Sequence, residues 1–272
     1  MPDPRSRDSS LPLIIIPARY ASTRYPGKPL ARLSGEGGVE RSLIEWSWRA
    51  ACKVPGVSRV VVATDDLRIV DEVDRFGGRA VMTSPACANG TERCAAAIEA
   101  MTDVPAIVVN FQGDAPLTPP AIVAAVIARM QREPTLAVAT PVIACRDETY
   151  RHLIADREAG RVGGTTVVFD RNGHALYFSK NVIPFIPPAG PTQASVHLHL
   201  GIYAYKPDAL AAYTASSPSA LEEAEGLEQL RFLDMGIGVG TVLCEPPDGS
   251  TIELNNPTDA KLIEDELRRR KL

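Results

Sequence analysis

Three cationic side chains follow directly after an uninterrupted aliphatic segment near the start of the chain. Residues 13–16 read Leu-Ile-Ile-Ile, and Arg19, Arg24 and Lys28 come next in a loop that holds Gly27 between two prolines. Arg and Lys are the usual partners of phosphate groups, and α/β proteins bind ligands beyond the carboxyl ends of their strands. The alternative is a solvated loop with ordinary surface charges. The buried strand and the stiff backbone around Lys28 favour a loop that binds a polyphosphate.

A single carboxylate follows a second aliphatic segment further along the chain. Residues 106–110 run into Phe-Gln-Gly-Asp-Ala-Pro, in which the carboxylate is Asp114. Opposite a cationic loop, it is suited to bind the metal ion that accompanies a triphosphate, because Mg²⁺ prefers oxygen ligands. Gly113 allows the backbone to approach closely. A turn-capping aspartate is the alternative, and the metal site is favoured.

Two polar segments precede predicted helices. The run Asn-Gly-Thr-Glu-Arg at residues 89–93 predicts a helix that ends near Met101 and is capped by Thr91. The N–H groups of its first turn, with Arg93 nearby, suit an anion or a pyrimidine carbonyl. The turn at residues 63–65 ends in Asp65, and Asp65 or Asp66 can cap the next helix.

The segments that must position these residues alternate between strands and helices. Aliphatic runs predict strands at residues 13–18, 59–64, 80–82, 106–110, 136–142, 162–170, 174–178, 197–205 and 239–244, and apolar spacing predicts helices at 39–53, from 66, from 91, from 118, 219–235 and from 256. Residues 146–161 are polar and uninformative. This order predicts an α/β domain with a mixed, largely parallel sheet.

Composition narrows the class of protein. The net charge is −4, which argues against a general nucleic-acid surface, and no apolar run approaches the roughly 18 residues that span a bilayer. Five scattered cysteines without a C-x-x-C pair indicate reduced thiols in a cytoplasmic protein. Residues 1–10 are expected to be a disordered tail, and residues 11–272 one domain with a small lobe at about 160–205.

The run Ile-Pro-Ala-Arg-Tyr-Ala-Ser-Thr-Arg-Tyr-Pro-Gly-Lys-Pro-Leu at residues 16–30 resembles the N-terminal signature of the sugar-activating nucleotidyltransferases. More narrowly, it is similar to the CMP-Kdo synthetase (3-deoxy-manno-octulosonate cytidylyltransferase) family. Further similar runs are Gly-Thr-Glu-Arg at 90–93, Gln-Gly-Asp at 112–114, Ala-Leu-Tyr-Phe-Ser-Lys at 175–180, His-Leu-Gly-Ile-Tyr at 199–203 and Leu-Glu-Gln-Leu-Arg at 227–231. The resemblance covers most of residues 13–259.

The resemblance implies a Rossmann-like nucleotidyltransferase fold with a small β-rich dimerisation lobe. It also implies a homodimer that uses CTP and Mg²⁺, transfers CMP to a small anionic acceptor and releases pyrophosphate. Arg19, Lys28 and Asp114 would be catalytic, and Asp114 and Asn255 would hold the metal.

The same resemblance implies two sets of binding residues. The nucleotide set is Pro17, Ala18, Arg19, Ser22, Arg24, Lys28, Thr64, Asp65, Asn89, Gly90, Thr91, Arg93, Gln112 and Asp114. The acceptor set is Gln112, Lys180, His199, Tyr203, Glu228 and Gln229. Simple core packing for His199 and a solvated helix face for Glu228 and Gln229 remain open.

Among the departures from the family pattern, five are losses of a functional side chain. They are Cys87 for a histidine, Ala115 for a glutamate, Thr166 for a lysine, Leu198 for an arginine and Asn255 for an aspartate. These losses gather on the metal and acceptor side and leave three interpretations. Kdo is the default acceptor, a phosphonate such as phosphonoformate is the second, and an inactive nucleotide-binding paralogue is the third. A nicotinamide dehydrogenase is disfavoured because no G-x-G-x-x-G pattern occurs. The Pro-rich segment 184–195 is a candidate lid or dimer arm.

Overall fold

The protein was analysed as a computed structural model that describes residues 11–21, 25–57, 59–187, 196–247, 249 and 252–272. The tail 1–10, Ser22, Arg24 and most of the Pro-rich segment lie outside the described residues. The chain groups into two compact units. Unit 1 comprises the residues up to Ala124 together with Pro247–Leu272, and unit 2 comprises Ala125–Pro246. The single domain with a lobe at 160–205 stays a prediction.

Strands and helices alternate along most of the chain. The strands are β1 (Leu13–Ala18), β2 (Arg32–Ser34), β3 (Glu40–Ser42), β4 (Arg59–Thr64), β5 (Ala80–Met82), β6 (Val108–Asn110), β7 (Val138–Ala144), β8 (Thr166–Phe169), β9 (Ala175–Ser179), β10 (His197–His199), β11 (Tyr203–Tyr205) and β12 (Val239–Cys244). The helices are α1 (Leu43–Ala51), α2 (Leu67–Arg75), α3 (Gly90–Glu99), α4 (Pro120–Arg132), α5 (Asp147–Glu158), α6 (Pro207–Ala215), α7 (Ala220–Glu225), α8 (Gln229–Asp234) and α9 (Asp259–Arg269). The predicted α/β class is confirmed.

Unit 1 is built on a parallel sheet with β1 at its centre. β1 pairs in parallel with β4 on one side and with β6 on the other, and β5 extends the sheet beyond β4. The side chains of Leu13, Ile14, Ile15 and Ile16 are fully buried. This is the reason for the uninterrupted aliphatic run, because a parallel strand covered on both faces has no solvent side. The carboxyl ends of β1, β4 and β6 therefore meet at one edge.

The first predicted helix begins later than its apolar spacing indicated. Residues 40–42 instead form β3, which pairs antiparallel with β2. The hydroxyl of Ser42 accepts a hydrogen bond from the backbone N–H of Glu45 at 3.3 Å, so Ser42 is the N-cap of α1. Trp46 on α1 packs with Leu254 and with Leu267 on α9 in one apolar cluster.

Unit 2 is organised around β7. β10 and β11 pair antiparallel with β7, and β12 pairs with it in parallel. β8 joins β10 to β9, and the turn at residues 170–173 links β8 to β9 as predicted. Gly173 has φ +77°, and its N–H donates to the carbonyl of Asp170 at 3.0 Å. Glycine suits this turn because it adopts positive φ without steric cost.

Two predicted elements of unit 2 were wrong, and one helix was not predicted. The strand at 197–205 is two strands, because the N–H of Ile202 donates to the carbonyl of Leu200 at 2.7 Å in a tight turn that interrupts the ladder. The helix at 219–235 is two helices, because Gly226 ends α7 with φ 59°. The polar stretch 146–161 forms α5, of which only Leu153 is buried.

No helix in the described part of the chain combines the length and the apolar character needed to cross a membrane.

Candidate active site

The loop after β1 is folded so that Lys28 is held close to the sheet. Gly27 has φ +71°, and its N–H donates to the carbonyl of Tyr20 at 2.9 Å. A Cβ atom at Gly27 would lie 3.1 Å from the Tyr20 ring, so both the turn and its packing require glycine. Lys28 begins a short 3₁₀ turn with Pro29 as its second residue. The two prolines and the glycine thus fix the backbone that carries the cation.

Lys28 and Asp114 form an ion pair across the ends of two strands. The Lys28 Nζ atom lies 2.5 Å from Oδ2 of Asp114, and the side chains are 17% and 22% exposed. The two residues are 86 positions apart in the sequence. Partial burial strengthens the attraction relative to a solvated pair. The cationic loop and the predicted carboxylate therefore face the same place.

Both side chains line a cavity of about 330 Å³ within unit 1. Its walls come from the end of β1, the 3₁₀ turn, the start of α3 and the loop after β6. The lining residues are Pro17, Ala18, Arg19, Lys28, Pro29, Leu43, Cys87, Ala88, Asn89, Gly90, Arg93, Gln112, Gly113 and Asp114. The structure thus brings together most of the predicted nucleotide set that it describes. Thr64, Asp65 and Thr91 do not line this cavity.

Gly113 is the point where two walls of the cavity touch. A Cβ atom at Gly113 would lie 2.8 Å from the carbonyl oxygen of Pro17, and real Cβ atoms almost never come so close. The Ser47 hydroxyl donates to the carbonyl of Gly113 at 2.9 Å and holds the same loop from α1. The predicted close approach of the backbone at Gly113 is confirmed, and Asp114 depends on it for its position.

The start of α3 forms another wall, and its cap differs from the prediction. Asn89 is the N-cap, because its side-chain oxygen accepts from the backbone N–H of Glu92 at 2.9 Å. Thr91 lies inside the first turn and is fully buried. The carboxylate of Glu92 in turn accepts from the N–H of Ala88 at 2.8 Å. Together the two hydrogen bonds order the loop before the helix.

Arg93 is anchored rather than extended into solvent. Its side chain is buried, and its guanidinium donates to the Thr83 hydroxyl at 2.8 Å and to Asp65 at 3.2 Å. The side chain of Thr64 is also buried, and its hydroxyl accepts from the N–H of Asp66, the residue that caps α2. In this structure Thr64 and Asp65 support the walls and do not line the cavity.

Sequence reasoning missed some of the lining. Pro29, Leu43 and Ala88 gave no chemical signal in the sequence, since they contribute only shape. Cys87 was noted only as a replacement for a histidine. Burial raises the pKa of the Cys87 thiol, so the thiol is protonated and uncharged at neutral pH.

Asp114 and Asn255, the two residues predicted to bind a metal through side-chain oxygens, lie on neighbouring backbone segments. The N–H of Leu254 donates to the backbone carbonyl of Asp114 at 3.0 Å, which places Asn255 one residue from that contact. The N–H of Asn255 donates to the carboxylate of Asp259 at 2.9 Å. A carboxylate and an amide oxygen suit Mg²⁺. No group of three or more His, Cys, Asp or Glu side chains arranged to hold a metal occurs among the described residues.

The predicted acceptor residues other than Gln112 belong to unit 2. Tyr203 and Gln229 are buried, and the Tyr203 hydroxyl donates to Oε1 of Gln229 at 3.0 Å. Gln229 Nε2 is buried without a hydrogen-bond partner in the described part of the chain. The N–H of Lys180 donates to Glu225 at 2.9 Å, a contact that the sequence did not indicate. Glu228 is half-buried at the start of α8.

His199 is uncharged at neutral pH. Desolvation lowers the pKa of its imidazole to about 3. The Thr140 hydroxyl donates to the carbonyl of Ile202 at 2.7 Å, so its oxygen is left to accept from Nε2–H of His199 at 2.8 Å. His199 can therefore contribute a hydrogen bond, but no positive charge, to the binding of the acceptor substrate.

We expect Gly113→Ala to lower the rate of the nucleotide transfer predicted from the sequence by about 10²-fold, because a shift of about 1 Å at a positioned group has an effect of that size. The added methyl group must push apart the Pro17 carbonyl and the loop that carries Asp114. The measurement is steady-state turnover with each variant. Gly238→Ala is the control for a lost glycine, since a Cβ atom there meets nothing within 4 Å and the backbone of Gly238 is not in the left-handed region. Equal turnover of Gly113→Ala and wild type would contradict the packing argument.

The strand ends of the parallel sheet place cations, a carboxylate and the start of a helix around one cavity. This arrangement defines a nucleotide-binding α/β protein. A sequence model of the cytidylyltransferase family matches residues 13–239. The chain belongs to the cytidylyltransferase family.

Its relatives specify the group within that family. A 3-deoxy-manno-octulosonate cytidylyltransferase from Maricaulis maris is 47% identical over 254 residues, covering 93% of this chain and 95% of the relative. An enzyme of the same name from Chlamydia abortus is 39% identical over 253 residues, covering 93% and 92%. The resemblance to this group is confirmed.

Solved structures agree with the fold. The structure of CMP:2-keto-3-deoxy-manno-octonic acid synthetase complexed with CTP matches with a TM-score of 0.82 at 34% identity, covering 97% of this chain and 100% of that one. A 4-diphosphocytidyl-2C-methyl-D-erythritol synthase from Anaerococcus prevotii matches with a TM-score of 0.59 at 14% identity. The second match shows the shared fold alone.

Proposed function

We propose that the protein is a CTP-dependent cytidylyltransferase that transfers CMP to 3-deoxy-manno-octulosonate (Kdo) and releases pyrophosphate. The observation that carries the proposal is the 2.5 Å pair of Lys28 and Asp114 in the cavity that Arg19 also lines. The group to which the relatives belong supports CTP as donor and Kdo as acceptor.

The reaction needs positioning and charge neutralisation more than a protein nucleophile. A hydroxyl oxygen of the acceptor forms a bond to the α-phosphorus of CTP, the bond from that phosphorus to the oxygen that bridges to the β-phosphate breaks, and the hydroxyl proton passes to solvent water. Arg19 and Lys28 neutralise the negative charge that develops on the departing pyrophosphate. The closely packed walls at Gly113 hold the triphosphate in one orientation. The start of α3 offers N–H groups to a carbonyl or phosphate oxygen of the nucleotide.

Asp114 and Asn255 are the residues that we propose to hold Mg²⁺. Their oxygens suit that ion, and the backbone contact between Asp114 and Leu254 keeps the two segments together. When bound, the ion supplies charge neutralisation to phosphate and acceptor oxygens. Lys28 also has a second role: when no ion is bound, it balances the negative charge of the Asp114 carboxylate.

Lys180, His199, Tyr203, Glu228 and Gln229 are proposed to bind the acceptor. The buried Nε2 of Gln229, which has no partner among the residues that the structure describes, supports this role, because a buried donor without an acceptor is costly and a sugar hydroxyl would satisfy it. We also propose that the protein is a cytoplasmic homodimer, as the resemblance implies. The 84% exposure of Phe185 in unit 2 supports the dimer, because a partner subunit would cover this apolar side chain. A monomeric mass in sedimentation equilibrium would overturn it.

The experiment is an assay of pyrophosphate release with Mg²⁺ and a panel of donors and acceptors. We expect release from CTP with Kdo, little release with ATP or GTP, and none when the acceptor is omitted. Phosphonoformate tests the alternative that the missing family contacts at Thr166 and Leu198 reflect a smaller acceptor. Release with phosphonoformate but not with Kdo would move the assignment to a phosphonate. CTP binding without release on any acceptor would indicate an inactive nucleotide-binding paralogue.

A further inference from the structure

A second cavity, of about 340 Å³, lies in unit 1 beside α1 and the start of β4. It shares no lining residue with the nucleotide cavity. Its volume is within the range of roughly 300–1,000 Å³ that small-molecule sites occupy. Much of its wall is apolar, with contributions from Trp46, Trp48, Ala50 and Val57. The proposed CMP transfer has no use for this cavity.

The charged side chains that line this cavity are all positive, and all but Lys53 pair with an acidic side chain outside the lining. Arg41, Arg49, Lys53 and Arg59 line it, and no acidic side chain does. Arg41 and Arg49 each pair with Glu45. Lys53 is exposed, and it forms no ion pair in the part of the chain that the structure describes. An apolar wall with a cationic rim complements a molecule that has an apolar body and a negative head.

Two buried donors at the cavity have no acceptor. Nε1–H of Trp48 and Nε–H of Arg59 are without hydrogen-bond partners in the described residues. The Arg59 side chain is 6% exposed, and one of its terminal nitrogens donates to the carbonyl of Asp103 at 2.7 Å. Buried donors are nearly always satisfied in folded proteins. Both residues line the cavity, while the two N–H groups themselves are closed to a water-sized probe.

The pKa of the Cys52 thiol depends on the environment of the same cavity. Cys52 lines the cavity, and desolvation raises the pKa of its thiol to about 11 although the nearby Arg49 acts in the opposite direction. Burial of the thiol therefore outweighs the effect of the neighbouring cation. Because apolar side chains form much of the wall, the body of a ligand in this cavity would be hydrocarbon rather than sugar or nucleotide.

We propose that this cavity is a second binding site, which takes a small amphiphilic carboxylate: a medium-length acyl chain or an aromatic ring with one negative head. The apolar body lies against the indole rings and Val57. The carboxylate lies at the rim near Lys53, where it accepts charge-assisted hydrogen bonds. This site is separate from that of the proposed function, and its occupancy does not depend on catalysis.

Intrinsic fluorescence tests the proposal directly, because the protein has two tryptophans and both line this cavity. Octanoate is titrated into the full chain and tryptophan emission is recorded. We expect a saturable change, and about tenfold weaker binding of octan-1-ol, which has the same chain length without the charge. Saturating CTP should leave the octanoate titration unchanged. This readout requires no turnover, so it stands even if the chain transfers no CMP.

Two variants localise the binding. Lys53→Gln should weaken octanoate binding by about three- to tenfold, and Ala50→Leu should abolish it by filling the cavity from α1. Both should keep the CMP transfer activity of wild type. Lys261→Gln is the matched control, since it removes an exposed lysine on α9 that lies outside the cavity.

Three results of the titrations would overturn the proposal: no saturable change with octanoate, equal binding of octan-1-ol and octanoate, or displacement of octanoate by CTP. Unchanged binding in Ala50→Leu would equally overturn it, provided that circular dichroism shows the variant to be folded.

Discussion

Asp114→Asn is expected to lower the rate of CMP transfer by about 10²–10³-fold, the loss typical when one preorganised electrostatic group is removed. Asparagine has nearly the same shape, so the backbone contact from Leu254 to residue 114 is retained. What disappears is the negative charge that faces Lys28 at 2.5 Å. Without it the cavity holds an unbalanced cation and lacks the carboxylate that we propose to bind Mg²⁺. The fold should be unaffected, since the Asp114 side chain is partly exposed.

The measurement is pyrophosphate release at saturating CTP and Kdo over a range of Mg²⁺ concentrations. Because the carboxylate is proposed to hold the ion, the Mg²⁺ concentration for half-maximal activity should rise together with the fall in rate. Asp74→Asn is the control, as it removes an exposed carboxylate from α2 in the same unit. An Asp114→Asn enzyme that works at more than half the wild-type rate at ordinary Mg²⁺ would exclude the role proposed for Asp114.

The cavity walls nearest the sheet could be predicted because they depend on local rules. A buried parallel strand needs an apolar run, and the residues that follow it must lie at the open edge of the sheet. Arg19, Lys28 and Asp114 follow two such strands, so their convergence was already implied by the sequence. Gly113 could be predicted for the same reason, since a glycine beside a functional carboxylate indicates a close backbone approach.

Contacts between residues far apart in the sequence could not be predicted. Arg93 reaches Asp65 and Thr83 across 28 and 10 positions, and neither spacing carries a pattern. The cap of α3 was assigned to Thr91 rather than Asn89 because both residue types can cap a helix. Which of them does so depends on where the backbone leaves the helical conformation. α5 escaped prediction since one buried side chain, Leu153, leaves no apolar period.

Two of the departures from the family pattern have a structural explanation in unit 2. Thr166 is almost fully buried, its hydroxyl donates to the carbonyl of Asn181 at 2.7 Å, and the N–H of Ile183 donates back to it at 3.1 Å. Leu198 packs against an apolar cluster that includes Leu153 and Val196. In this chain the two positions stabilise the unit. The acceptor must therefore be recognised by other side chains, which makes the acceptor panel a test of specificity as well as of activity.

The largest expected loss of stability comes from Arg231→Met. Arg231 and Glu222 form a two-pronged pair at 2.6 and 2.7 Å with side chains 3% and 11% exposed. The Arg231 guanidinium also lies 3.9 Å from the ring centre of Tyr213. Removing the cation leaves the Glu222 carboxylate buried without its partner, and breaking such a pair destabilises a protein by about 3–5 kcal/mol. The measurement is the free energy of unfolding from urea titration followed by circular dichroism.

A double variant separates the contribution of the ion pair to the free energy of unfolding from the cost of a buried charge without a partner. Glu222→Leu combined with Arg231→Met should recover most of the lost stability, because two apolar side chains of similar volume need no charge compensation. Arg161→Met provides the exposed comparison in the same unit, where the pair with Asp156 at 2.6 Å is 65% and 29% exposed and should contribute less than about 1 kcal/mol. If the double variant were less stable than Arg231→Met alone, the charge left without a partner would not be the cause. The stability would then reside in the other hydrogen bonds that Glu222 accepts, from the Tyr213 hydroxyl at 3.1 Å and from the N–H of Ser219 at 3.3 Å, which the double variant also removes.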